Sequence, residues 1–145
     1  MRIGGLQKVS LIDYPGQISA IVFTQGCNFR CPYCHNPELV DPKLYQPCLP
    51  KKDVLDFLAT RRGKLDAVTV TGGEPTLQED LIPFIQMIRK LGFSVKLDTN
   101  GSRPDVLVQL FVHRLLDFIA LDVKAPAEKY QSIAKVPVES DAIRE

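Results

Sequence analysis

The chain has 145 residues, with 18 Lys and Arg against 17 Asp and Glu and a formal net charge of +1. Its 45% hydrophobic and 24% charged fractions are those of an ordinary folded domain, long enough to bury one core. Near-neutral charge gives no electrostatic reason for a nucleic-acid or membrane partner, and the apolar runs are too short to span a bilayer. The start, Met1-Arg2-Ile3-Gly4-Gly5, lacks the apolar stretch of a secretory signal. Four cysteines in such a chain predict free thiols in a reducing, cytoplasmic setting rather than a disulfide framework.

Ile18 to Phe23 is a β-branched apolar run and predicts a buried strand feeding into the first cysteines. The stretch from Pro42 to Pro50 holds three prolines and predicts irregular chain. Pro50 suits a first helical position. Val54, Leu55 and Leu58 then recur at helical spacing until Gly63. Ala67 to Thr71 predicts a second strand, broken by Gly72-Gly73-Glu74-Pro75. Leu81, Ile85, Ile88 and Leu91 form one helix face, closed by Gly92. Ser94 to Leu97 predicts a third strand, ended by Asp98-Thr99-Asn100-Gly101. Ser102 and Pro104 start a helix carrying Val106, Leu107, Leu110 and Leu115. Phe118 to Val123 predicts a fourth strand, and Ala127 to Ile133 a short final helix.

Strands alternating with helical segments predict an α/β fold of repeated βα units with a parallel sheet. Chemistry in such folds gathers at the carboxyl ends of the strands. The polar motifs sit at all four predicted ends: Cys27 to Asn36, Gly72 to Pro75, Asp98 to Gly101, and Asp122 to Lys124.

Cys27, Cys31 and Cys34 follow the spacing C-x3-C-x2-C. Three thiolates would ligate three irons of a 4Fe–4S cluster and leave one iron open to a substrate. The rival is a structural zinc site completed by His35 or Cys48. Cys48, in the proline-rich stretch, reads more simply as a spare thiol, His35 as a packing or hydrogen-bonding residue, and His113 as a helix surface residue. Tyr33 is placed to stack on a flat ligand such as adenine. Gly72 and Gly73 open backbone groups to a ligand, and Glu74 adds an acceptor suited to a cationic amine. Asp98 and Asp122 end neighbouring strands and predict a shared site for a monovalent cation or polar ligand groups. Lys124 points the same way as Asp122. The plain alternatives for these residues are turn punctuation and solvated strand-end charge.

These motifs resemble the radical S-adenosylmethionine superfamily, through Cys27-Asn28-Phe29-Arg30-Cys31-Pro32-Tyr33-Cys34 and Gly72-Gly73-Glu74-Pro75. Within it the chain is similar to glycyl radical enzyme activating proteins, through Cys31 to Pro37, Leu97 to Gly101 and Leu121 to Lys124. The opening Ser10-Leu11-Ile12-Asp13-Tyr14-Pro15-Gly16 looks most like those of the anaerobic ribonucleoside-triphosphate reductase type.

The resemblance implies an iron–sulfur oxidoreductase. A 4Fe–4S cluster on Cys27, Cys31 and Cys34 cleaves S-adenosylmethionine reductively to a 5′-deoxyadenosyl radical, which installs a glycyl radical on a partner enzyme. It implies a flavodoxin- or ferredoxin-type electron donor. By the same likeness Gly72, Gly73 and Glu74 bind the methionine amine, and Tyr33 lies near the adenine. Asp98, Thr99 and Asp122 can hold a monovalent cation, Lys124 contacts the cofactor, and Asp13 lies near the partner's glycine-bearing peptide. The family usually has six βα units in a partial TIM barrel. Four are readable here, so residues 1–145 are expected to be a core domain truncated at its C-terminal end, with an exposed sheet edge. The competing classes are a radical S-adenosylmethionine enzyme acting on a small molecule, and a nonenzymatic zinc module.

Overall fold

The computed structural model describes residues 1–137. Five strands form one sheet: β1 (Ile3–Ser10), β2 (Ser19–Thr24), β3 (Ala67–Gly72), β4 (Ser94–Thr99) and β5 (Phe118–Leu121), in spatial order β1-β2-β3-β4-β5. The helices are α1 (Pro37–Val40), α2 (Lys51–Ala59), α3 (Leu81–Lys90), α4 (Pro104–Val112) and α5 (Tyr130–Ala134). The pairs β2–β3, β3–β4 and β4–β5 are parallel, as the alternating pattern predicts. The sequence count of four strands is corrected to five, because β1 pairs antiparallel with β2. Its sequence, Ile-Gly-Gly-Leu-Gln-Lys-Val-Ser, has two glycines and no clean alternation, so neither strand period is visible. The ladder itself is interrupted by register shifts. The short α1 also lacks a readable signal, being a single turn after Pro37. The chain's last residues, Ile143 to Glu145, where the family pattern leads to further βα units, lie outside the described residues.

One sheet face carries the core. Ala20, Val22, Val68, Val70, Val95 and Leu97 are fully buried there, against Val54 and Leu58 of α2, Phe84, Ile85 and Ile88 of α3, and Leu110 of α4. Because strand side chains alternate, the intervening residues fall on the other face. There the register aligns Ile21, Thr69, Lys96 and Phe118 across four strands. The β1–β2 loop covers part of this face, with the Tyr14 ring 5.9 Å from that of Phe118. A smaller cluster joins Phe29 of the cysteine loop to Tyr130 and Ala134 of α5. The Phe29 and Tyr130 rings meet edge-on at 6.0 Å, and Arg30 N–H donates to the Ala134 carbonyl at 2.7 Å. The tail of the described chain thus braces the loop that follows β2.

Candidate active site

The cysteine loop is stitched to the end of β3 by backbone. Gly73 N–H donates to the Thr24 carbonyl and Glu74 N–H to the Gly26 carbonyl, both at 2.8 Å. This approach requires glycine at both positions. Gly72 has φ +108°, and a Cβ there would stand 2.5 Å from Thr24 N; on Gly73 it would stand 2.1 Å from Gly26 O. The sequence offers ligand access as one reason for these glycines. Close packing of two loops is an independent one.

Glu74 is 1% exposed. Its carboxylate accepts from Thr76 N–H at 3.0 Å, the Thr76 hydroxyl at 2.5 Å, the Thr99 hydroxyl at 2.7 Å and Asn100 N–H at 2.7 Å. Four donors nearly exhaust its lone pairs. Glu74 is therefore a clamp between the ends of β3 and β4, and an incoming amine would have to share it. Thr99, expected near a cation, spends its hydroxyl on this clamp. A second link runs from Asn100 Nδ2 to Asn28 Oδ1 at 2.9 Å, and from Asn28 Nδ2 to the Ser102 hydroxyl at 2.8 Å, tying the cysteine loop to the end of β4. A third runs from the Tyr33 hydroxyl to the Lys124 carbonyl at 3.0 Å, while Lys124 N–H donates to the Tyr130 hydroxyl at 3.0 Å.

These links gather the strand ends around one cavity of about 590 Å³. Its wall includes Cys27, Cys31, Tyr33, Cys34 and His35 after β2, and Gly72, Gly73 and Glu74 after β3. Asp98 and Thr99 come from β4, Asn100 follows it, and Asp122 and Lys124 come from beyond β5. All the residues singled out for cluster, amine, cation or cofactor contact line it. Asp13 is not on the wall. The Ser10 hydroxyl donates to its carboxylate, and its backbone carbonyl accepts from Lys96 Nζ at 2.7 Å. Cys48 is exposed, off the wall and turned toward Gln25 at 3.4 Å. No motif of the sequence points to Lys96, Asn28 or Tyr130 as site residues, and Ser102, expected to start α4, instead accepts from Asn28 while Arg103 precedes the helix. Only the position of Lys96, two residues before Asp98 on one strand face, was a usable signal.

The residues present fit a cluster, with His35 sharing the wall of the three thiols and Cys48 off it. All three thiols line the cavity, and no fourth cysteine does. Among the described residues no three His, Cys, Asp or Glu side chains stand close enough to enclose one metal ion. Burial raises the Cys27 thiol to about 11, with the Phe29 N–H opposing and Glu74 adding to the rise. Burial also raises Cys31, against the opposing Lys124 ammonium. Both are thiols at neutral pH, so iron would have to displace their protons. Burial lowers the Lys124 ammonium, but its bond to the Asp122 carboxylate outweighs this and raises it overall.

The fold and this wall define an α/β domain of parallel βα units with three unpaired thiols on the loop after β2. A family model described as the radical SAM superfamily matches residues 21–144, and the chain belongs to that superfamily. A protein of Methanocaldococcus jannaschii named as a glycyl-radical enzyme activating enzyme is 38% identical, over 98% of this chain and 58% of its own length. The pyruvate formate-lyase-activating enzyme of Clostridium pasteurianum is 35% identical, over 85% of this chain and 52% of its own. The chain thus spans about half the length of these relatives. Among solved structures, QueE from Escherichia coli superposes with a TM-score of 0.57 at 21% identity, covering 70% of this chain and 52% of that one, a likeness of fold.

Proposed function

We propose that Cys27, Cys31 and Cys34 hold a 4Fe–4S cluster, and that the cavity beside them takes S-adenosylmethionine in the service of glycyl radical formation on a partner enzyme. One observation carries this reading: three thiols and no fourth share a wall with Gly73, Asp98, Asp122 and Lys124 at one sheet edge. When bound, the reduced cluster supplies the electron for cleavage of S-adenosylmethionine to a 5′-deoxyadenosyl radical. The chain's residues bind and orient. The Lys124 ammonium suits a carboxylate or ribose hydroxyl, and the Tyr33 ring, half exposed and pinned through its hydroxyl, suits adenine. Backbone carbonyls near Gly73 and the Asp98 and Asp122 carboxylates suit the methionine amine. Phe29, Tyr130 and Ala134 back the cysteine loop with apolar surface and keep water from that side.

The activating-enzyme names of the relatives support a glycyl radical enzyme as partner. The segment Ser10 to Gly16 favours an anaerobic ribonucleotide reductase within that class, with a small flavodoxin or ferredoxin as electron donor. Anaerobic reconstitution followed by iron, sulfide and zinc analysis tests the cluster. Release of 5′-deoxyadenosine on reduction tests the cofactor. Colourless protein with stoichiometric zinc would overturn the proposal. Cleavage of the cofactor without transfer to any glycyl radical enzyme would redirect it to a small-molecule substrate.

A further inference from the structure

We infer that Lys96 is a positioning residue that supplies, from within the chain, the positive charge beside Asp98 and joins that carboxylate to the β1–β2 loop. This deepens the reading of the cavity as an S-adenosylmethionine site and rests on it. Lys96 is only 9% exposed, in the middle of β4. A lysine buried in a sheet needs partners for its three N–H groups. Its ammonium donates to the Asp13 carbonyl at 2.7 Å and stands 2.8 Å from Asp98 Oδ1 as an ion pair without hydrogen-bond alignment, with the Phe118 ring centroid 6.0 Å away. Across the sheet its register neighbours are Thr69 and Phe118, both uncharged. Asp98 lines the cavity and Lys96 does not. The ammonium thus pairs with a carboxylate of the cavity wall without lining the cavity itself.

Two consequences follow. The charge that a monovalent cation would contribute at Asp98 is already provided by a side chain. And Asp13, which the family resemblance implies lies near a partner's peptide, is linked to Asp98 through one ammonium. A partner that moves the Asp13 loop therefore perturbs a wall of the cofactor cavity.

The test compares the full chain with Lys96→Met, which keeps an apolar stem and removes the charge, and Lys96→Arg, which keeps the charge. Without cofactor, urea midpoints of Lys96→Met, Asp98→Asn and the double variant form a cycle. Losses for the double variant well below the sum are expected; strict additivity overturns the pairing. Hydrogen exchange in residues 11–17 should rise in Lys96→Met and stay low in Lys96→Arg; no change overturns the loop connection. Calorimetric titration of the reconstituted chain with S-adenosylmethionine is run in choline chloride and in potassium chloride. The parent should bind alike in both. Lys96→Met should bind at least about tenfold more weakly in choline, with potassium restoring part of the loss. A parent that requires potassium, or a Lys96→Met chain that binds like the parent in choline, overturns the counter-charge role. A parent that binds no S-adenosylmethionine in either salt, with the urea coupling intact, overturns the reading of the cavity and leaves the Lys96 link standing.

Discussion

At the scale of single residues, the wall separates groups that would touch a ligand from groups that hold the wall. Cys31 belongs to the first kind and Cys48 to neither. Cys31→Ala should abolish iron incorporation and cofactor cleavage after reconstitution, because a ligand is lost, while Cys48→Ala should leave both at parent levels. Iron analysis and the visible absorbance of the two variants check this, and a Cys31→Ala chain with full iron content would refute the ligand set. Glu74 belongs to the second kind. Removing its carboxylate leaves the Thr76 and Asn100 amides and two hydroxyls buried without their acceptor. Glu74→Ala should cost about 2–4 kcal/mol in urea unfolding before any cofactor is added. Glu74→Gln should cost less, since its carbonyl oxygen still accepts. Equal stability of Glu74→Ala and the parent would show that the clamp is dispensable.

At the scale of elements, the site depends on loops that approach more closely than ordinary side chains allow. Gly73→Ala sets a Cβ 2.1 Å from the Gly26 carbonyl oxygen, a backbone atom with no rotamer to yield. The cysteine loop must then move away from β3. We expect about 2 kcal/mol of destabilisation and a lower cluster yield, read by urea titration and iron content together. Parent-like values of both would mean that the two loops separate freely. A different junction governs response to acid. Asp80 joins the amine of Met1 at 2.5 Å and Lys51 at the start of α2 at 2.6 Å, just ahead of α3. Burial pushes its carboxyl upward, but the Lys51 and Met1 cations outweigh this and hold it below the usual range. A depressed carboxylate contributes stability that is present above its unfolded value, about 3.9, and is lost as pH falls through the lower folded one. Parent and Asp80→Asn should therefore differ in urea midpoint at neutral pH and converge in strong acid. A gap that persists unchanged in acid would exclude the ion pairs as its source.

At the scale of the molecule, part of the exposed apolar surface lies on β5, its following residues and α4. Phe118, Leu121 and Val123 at the β5 edge are 40–64% exposed, and Val108, Phe111 and Val112 of α4 are 52–71% exposed. Spacing of three and four residues puts the α4 group on one helix face. An apolar helix face beside an edge strand is what a further βα unit covers in a barrel. We propose that a chain extended past Glu145 by such units is more soluble and binds S-adenosylmethionine more tightly. Among the described residues the last on the cavity wall is Lys124, and further units would add wall around a ligand. Calorimetry on both lengths, anaerobic and reconstituted, decides it; equal affinity would mean that the walls present suffice.

Much of this was legible in the chain of letters. Periodicity alone placed the four parallel strands and their helices, because apolar runs broken by glycine and proline are local signals. Parallel order then put Cys27, Gly73, Asp98 and Asp122 at one edge before any coordinates, since parallel strands bring like ends together. Other features were not local. The strand Ile3–Ser10 takes its conformation from pairing with Ser19–Thr24, not from its own glycine-rich sequence. The commitments of Glu74 and Thr99, the Asn28–Asn100–Ser102 chain and the pairing of Lys96 with Asp98 and Asp13 each join residues of different loops or faces. Residue types along the chain name the donors and acceptors a protein owns. Which donor meets which acceptor is decided by distances of a few ångströms between segments far apart in sequence, and only the folded sheet sets those.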